Sequence, residues 1–91
     1  MTTAAKVYKS LGNDTRLSVV REIARRGCEV SSQQILTSCS AALDLAQPTL
    51  SQHFAKLVAS GLLHERKDGV EKRYRLNVDL LERVGIDIDR L

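Results

Sequence analysis

Between Gln47 and Ser60 the chain carries hydroxyl, amide, imidazole and ammonium groups and no carboxylate. Stepped at about 100° per residue, Leu50, Phe54, Leu57 and Val58 fall on one side of a helix. Thr49, Gln52 and Lys56 fall opposite, with Gln47 at the helix start and Ser51 and His53 on the flanks. Groups of this kind donate hydrogen bonds to phosphate oxygens and to base edges, where a carboxylate would be repelled. Gln52 is the best base reader, because its amide can bond an adenine edge at two points. Lys56 suits a phosphate. The competing reading is a plain solvated helix face, but such faces ordinarily mix Glu with Lys, and this one has no acid.

A second basic group follows. Arg66, Lys67, Lys72 and Arg73, with Arg75 behind them, flank Asp68-Gly69, a hairpin signal. Arg66 or Lys67, together with Lys72 near the tip, could reach a flanking phosphate or a minor groove. Edge strands also carry lysine simply to block aggregation, so the hairpin gains weight only from the helix before it.

The charge distribution agrees. Net charge is +3; residues 1–46 hold 6 basic and 4 acidic side chains, residues 47–76 hold 6 and 3, and residues 77–91 hold 2 and 4. A polyanion would favour the first two stretches and avoid the tail. Tyr8, Phe54 and Tyr74 are the only aromatic residues, too few for a surface that stacks single-stranded bases.

Other chemistry is poorly supplied. His53 and His64 belong to no Ser/His/Asp order, and no phosphate-binding glycine loop or carboxylate pair stands out, so the chain reads as not an enzyme. Cys28 and Cys39 are too few for a secreted disulfide scaffold. They form a candidate redox pair, with Cys28 close to Arg25 and Arg26. Against that, Cys39 stands at apolar spacing from Ile35 and Leu36 and reads as a small core residue. Asp79, Asp87 and Asp89 lack the nitrogen and sulfur that zinc prefers, so no metal site and no cofactor is expected.

These side chains must be held by a frame. Residues 3–11 read as a short helix ended by Gly12. Asn13 or Asp14 caps a second helix reaching about Arg26, with Leu17, Val20, Ile23 and Ala24 inward. Ser31 or Ser32 caps a third, with Ile35, Leu36 and Cys39 inward, and Ala41 to Ala46 form a turn. The fourth helix begins near Gln47, with Pro48 in its first turn, and ends at Ser60-Gly61. Leu62 to Lys67 and Glu71 to Leu76 are the two hairpin strands, and Asn77 caps a last helix over 78–84. Beyond it Ile86-Asp87-Ile88-Asp89 alternates, which leaves its structure open. The fold class is mainly α: a single winged helix-turn-helix domain over 1–91 with a two-stranded β-hairpin wing.

The run Leu45-Ala46-Gln47-Pro48-Thr49-Leu50-Ser51-Gln52-His53-Phe54, then Leu57 and Ser60-Gly61-Leu62-Leu63, resembles the recognition-helix signature of the ArsR/SmtB family of bacterial repressors. Leu11-Gly12-Asn13-Asp14-Thr15-Arg16-Leu17 and the wing Arg66-Lys67-Asp68-Gly69 with Tyr74-Arg75-Leu76-Asn77 resemble it in the same order, over about residues 6–80. The resemblance implies a homodimer that packs the terminal helices, about 3–11 and 78–91, together. Val7, Leu11, Leu81, Val84, Ile88 and Leu91 are then the interface residues. It also implies operator binding relieved by an effector, which the sequence does not identify. The chain departs from the family at Ala46, where a Ser or Thr is usual, and at Asp44, near which a Gly commonly closes the turn. The third helix and its turn look longer than usual. The family's metal sensors use a Cys-x-Cys pair on the third helix or Asp and His on the last; here Cys39 is alone and no histidine follows His64.

No apolar run approaches the ~20 residues that span a bilayer, and the opening Met1 to Lys6 lacks the apolar core of a signal peptide. The expectation is a cytoplasmic transcriptional regulator whose partners are duplex DNA and a second copy of itself, with no membrane. Two rivals stand beside it: a winged helix used only for protein–protein contact, and a thiol- or metal-responsive sensor of the same family.

Overall fold

A computed structural model describes residues 3–91; Met1 and Thr2, part of the opening stretch considered above, lie outside them. Its elements run α1 (Thr3–Leu11), α2 (Asp14–Arg25), β1 (Glu29–Ser31), α3 (Ser32–Leu43), α4 (Gln47–Ala59), β2 (Leu63–Asp68), β3 (Glu71–Leu76) and α5 (Val78–Arg83), then a 3-10 turn at Ile88–Arg90.

Caps set most helix ends. Asn13 Oδ1 accepts from the Arg16 backbone N–H at 3.0 Å, and Ser31 Oγ accepts from that of Gln34 at 3.1 Å. Asn77 Oδ1 accepts from Leu80 N–H at 3.2 Å, while its Nδ2 donates to the Gly61 carbonyl at 3.0 Å. One side chain thereby starts α5 and fixes it beside the end of α4. Ala46, the N-cap of α4, makes no side-chain cap bond, so this helix relies on Pro48 in its first turn and on its buried face.

Helix α3 continues through Ala41 and Ala42 to Leu43, leaving only Asp44–Ala46 as the turn, shorter than expected. Alanine is the best helix former, which accounts for the difference. Asp44 takes φ 53° and ψ 48°, a left-handed conformation that L-residues adopt at a penalty. Asp44→Gly is therefore expected to raise stability by about 1 kcal/mol, and the β-branched Asp44→Val to lower it. Urea unfolding of the two variants checks this.

The expected two-stranded hairpin forms from β2 and β3, and β1 joins it as a third strand. The sheet has three antiparallel strands in the order β1-β3-β2, with Val30 opposite Tyr74. A strand of three residues, read from sequence as loop and cap, is too short to show alternation. In the hairpin, Asp68 pairs with Glu71, so the tip is Gly69-Val70 rather than Asp68-Gly69. Gly69 has φ 64° and Val70 is fully exposed, the arrangement of a two-residue turn with glycine first. At the C-terminus, Gly85 at φ 85° ends the last helix, so 78–91 is a short helix and a separate turn.

The core joins Val19, Val20 and Ile23 of α2 to Ile35 and Cys39 of α3 and to Leu50, Phe54 and Leu57 of α4. Leu62, Leu63, Tyr74, Leu76, Leu80 and Leu81 close it from the sheet and α5. Ala24 and Leu36, expected to face inward, are half-buried at its edge, Leu17 is half-buried outside it, and Val19 takes a full core position. Phe54 stacks on Tyr74 with ring centroids 5.0 Å apart and planes 7° from parallel, which fixes α4 against β3.

Candidate nucleic-acid interface

Helix α4 presents the side chains the sequence singled out. Leu50, Phe54 and Leu57 are fully buried and Val58 half-buried, while Gln47, Thr49, Ser51, Gln52 and Lys56 are exposed. The exposed face carries amide, hydroxyl and ammonium groups with no acidic residue in the first turn, and is free to enter a groove.

His53 is different. It is half-buried, and its Nδ1 lies 3.3 Å from Nη1 of Arg16, whose Nε donates to the Ser10 carbonyl at 2.7 Å. The Arg16 guanidinium can only donate, so His53 Nδ1 is the acceptor and carries no proton, which makes the ring neutral. Burial pushes the His53 pKa below 6.5, and the Arg16 and Lys56 charges push it the same way. His53 thus ties α4 to α2 rather than facing outward with Gln52. Nothing local in the sequence could show this, since Arg16 and His53 stand 37 positions apart.

The basic residues of the hairpin divide between two faces. Leu63, Glu65 and Lys67 pair across to Leu76, Tyr74 and Lys72, and this face carries the ring stacked on Phe54. Lys67 and Lys72 therefore project on the α4 side, beyond the core. Arg66 and Arg73 oppose each other on the other face, and both approach Glu29 Oε1, at 3.6 and 3.1 Å. Strand alternation turns these two arginines, expected to reach flanking phosphates, away from α4. Lys72 Nζ lies 3.4 Å from Glu65 Oε1, an exposed pair of small energetic weight.

Residues 11–66 match a family described as a helix-turn-helix domain. The "Arsenic resistance transcriptional regulator ArsR1" of Pseudomonas putida is 36% identical over 78 residues, covering 81% of this chain and 54% of the relative. The "Arsenical resistance operon repressor" of Escherichia coli is 36% identical over 72 residues, 79% of this chain and 57% of the relative. Among solved structures, an "ArsR-like Transcriptional Regulator" from Rhodococcus sp. RHA1 superposes with a TM-score of 0.74 at 26% identity, covering 97% of this chain and 77% of that one. The chain belongs to the ArsR family of helix-turn-helix regulators. It spans little more than half the length of these two relatives.

For an ArsR-family chain the thiols and terminal helices are the remaining points of interest. Cys39 is 2% exposed, and burial together with Glu22 pushes its thiol up, against the opposing pull of Arg26. A buried thiol held neutral is a poor nucleophile. Cys39→Ser is expected to lower stability by about 1–3 kcal/mol, since it buries a hydroxyl in an apolar site, and to leave DNA affinity in reducing buffer unchanged. Denaturation and binding isotherms on the same preparation separate the two effects. Cys28 is half-buried in the β1 approach with φ 70°, and both cysteines are free thiols. Among the described residues, no group of three or more His, Cys, Asp and Glu side chains is placed to hold a metal, and no helix is long and apolar enough to cross a membrane.

Of the six residues expected at a dimer interface, Val7 and Leu81 are fully buried within the single chain. They are core residues, covered by the chain itself. Leu11, Val84, Ile88 and Leu91 are half-buried. Tyr8 beside them is 52% exposed and donates its hydroxyl hydrogen bond to the Val84 carbonyl, linking α1 to the end of α5.

Proposed function

We propose that the chain is a sequence-specific duplex-DNA-binding repressor that acts as a homodimer, with α4 in the major groove. The observation that carries this reading is the exposed face of α4, where Gln47, Thr49, Ser51, Gln52 and Lys56 offer donors and no acid. Lys67 and Lys72 lie on the same side of the sheet as α4 and contact the flanking backbone. The named relatives are transcriptional regulators, which supports a role without catalysis.

The dimer reading rests on the half-buried apolar group Leu11, Val84, Ile88 and Leu91 with exposed Tyr8, contributed by α1 and the C-terminal segment. An effector relieves binding in this reading, but the arsenic chemistry in the relatives' names is not carried over. A soft-metal site wants clustered thiolates, and here Cys39 is buried alone on α3.

The test is selection of binding sites from a random duplex pool, with sedimentation of the protein at micromolar concentration. A palindromic consensus, salt-dependent affinity and a dimeric wild type are expected. Ile88→Asp, at a half-buried position, should give a folded monomer with weak site binding; Leu81→Asp is unsuitable because it unfolds the core. Absence of any salt-dependent duplex binding would leave the protein–protein module as the reading.

A further inference from the structure

Lys6, Lys9 and Ser10 of α1, Arg16 of α2 and Lys56 and Ser60 at the far end of α4 line a cleft of about 470 Å³. Four of its lining side chains are cationic and none is acidic. Three features set it apart from an ordinary basic surface. Among the described residues, Ser10 Oγ is the one buried side-chain polar atom without a hydrogen-bond partner, on a residue 7% exposed. A buried hydroxyl without a partner is destabilising by itself and asks for an acceptor or donor that the chain does not supply. Arg16 is locked in place through the Ser10 carbonyl and His53. Finally, Lys6, Lys9 and Lys56 make no ion pair among the described residues, whereas Arg66, Lys72 and Arg73 of the hairpin all do. Of the eight Lys and Arg side chains without an ion pair among the described residues, four line this cleft: Lys6, Lys9, Arg16 and Lys56.

We propose that this cleft seats a phosphate group, and that its occupant is a backbone phosphodiester of the duplex whose major groove takes α4. Lys56 argues for DNA over a free ion. It lies one turn beyond Gln52 on the exposed face of α4 and also lines the cleft, so the two surfaces are continuous. Ser10 Oγ donates to a phosphate oxygen, the lysines neutralise it, and Arg16 holds the wall. The proposal rests on the DNA-binding reading above and adds α1 to the contact surface.

The test uses the whole chain and a mixed-sequence duplex of about 30 base pairs, so that no operator need be known, with isotherms at several salt concentrations. A Lys6→Gln/Lys9→Gln double variant is expected to lower the slope of log affinity against log salt by about 0.9 for a single phosphate lost. Ser10→Ala is the second variant: it removes an unpartnered hydroxyl, so thermal stability should hold or rise while duplex affinity falls several-fold. That opposition cannot arise from misfolding. A salt-dependent wild type whose variants keep its slope and affinity overturns this proposal and leaves the DNA reading standing. A wild type with no salt-dependent duplex binding overturns both. In a parallel arm, inorganic phosphate is titrated while the Ser10 amide is followed by NMR. Saturable binding there, with an unchanged duplex slope in the variants, assigns the cleft to a free anion and overturns the DNA source.

Discussion

Phe54→Ala is expected to lower the unfolding free energy by about 3–5 kcal/mol. Phe54 is fully buried, the bulkiest of the completely covered side chains, and stacked on Tyr74 at 5.0 Å. Truncation removes its transfer free energy, leaves a cavity between α4 and β3, and exposes one face of Tyr74 to that cavity. A domain of this size has about 5–15 kcal/mol in total, so about a fifth or more of the margin would go. The same stack sets the position of α4 against the hairpin, so duplex affinity should fall at temperatures where the variant is still folded. Phe54→Leu keeps most of the volume and should cost less. Urea unfolding of the three proteins measures the differences. A loss below about 1 kcal/mol for Phe54→Ala would mean that the core can close over the gap and that the stack does not anchor α4.

The helices were legible because single residues punctuate them. Gly12 and Asn13 separate α1 from α2, Ser31 starts α3, Pro48 sits in the first turn of α4, and Asn77 caps α5. Each acts locally, through a backbone bond or a fixed dihedral, and needs no knowledge of the fold. The failures share the opposite property. Strand β1 exists because β3 offers it a ladder, and Glu29-Val30-Ser31 alone carries no pattern that demands a strand. The structure of 86–91 stayed open because apolar spacing continues past Gly85, whose positive φ ends the helix.

The candidate site divides along the same line. Helical periodicity placed the outward face of α4 correctly, because one-face burial is a local geometric consequence of 3.6 residues per turn. The hairpin could not be placed so well: a shift of one residue in register exchanges every side chain between faces. With the tip at Gly69-Val70, Lys67 and Lys72 go to the α4 side and Arg66 and Arg73 to Glu29. Val7 and Leu81 were assigned to a surface because apolar residues look alike in sequence whether a partner or the chain itself covers them. The grouping of Lys6, Lys9 and Arg16 with Lys56 is not legible in the sequence, because three elements distant along the chain are needed to form it.

Base reading and backbone binding should therefore separate by element, and in a way the sequence alone would have tested with the wrong residue. Gln52 is exposed at the centre of the outward face of α4, so its amide approaches base edges when the helix enters the groove. Loss of a base contact typically costs about 1–3 kcal/mol and acts at one position of the site. Loss of a phosphate contact weakens every sequence alike and reduces the salt slope by about 0.9 per phosphate. Gln52→Ala is expected to relax preference at one base pair per half-site, by about 5- to 150-fold, with the slope intact. Lys67→Ala/Lys72→Ala should lower the slope by about 1–2 and leave the preference unchanged. Arg73→Ala is the control: on the opposite sheet face and 3.1 Å from Glu29, it should change neither. Isotherms on the selected site, on its point variants and at several salt concentrations measure all three. If Gln52→Ala weakened all sequences equally, α4 would not be docked by its outward face. If Arg73→Ala rather than the lysine pair carried the slope, the wing would meet DNA with the face that bears Glu29, and the division of the hairpin described here would be reversed.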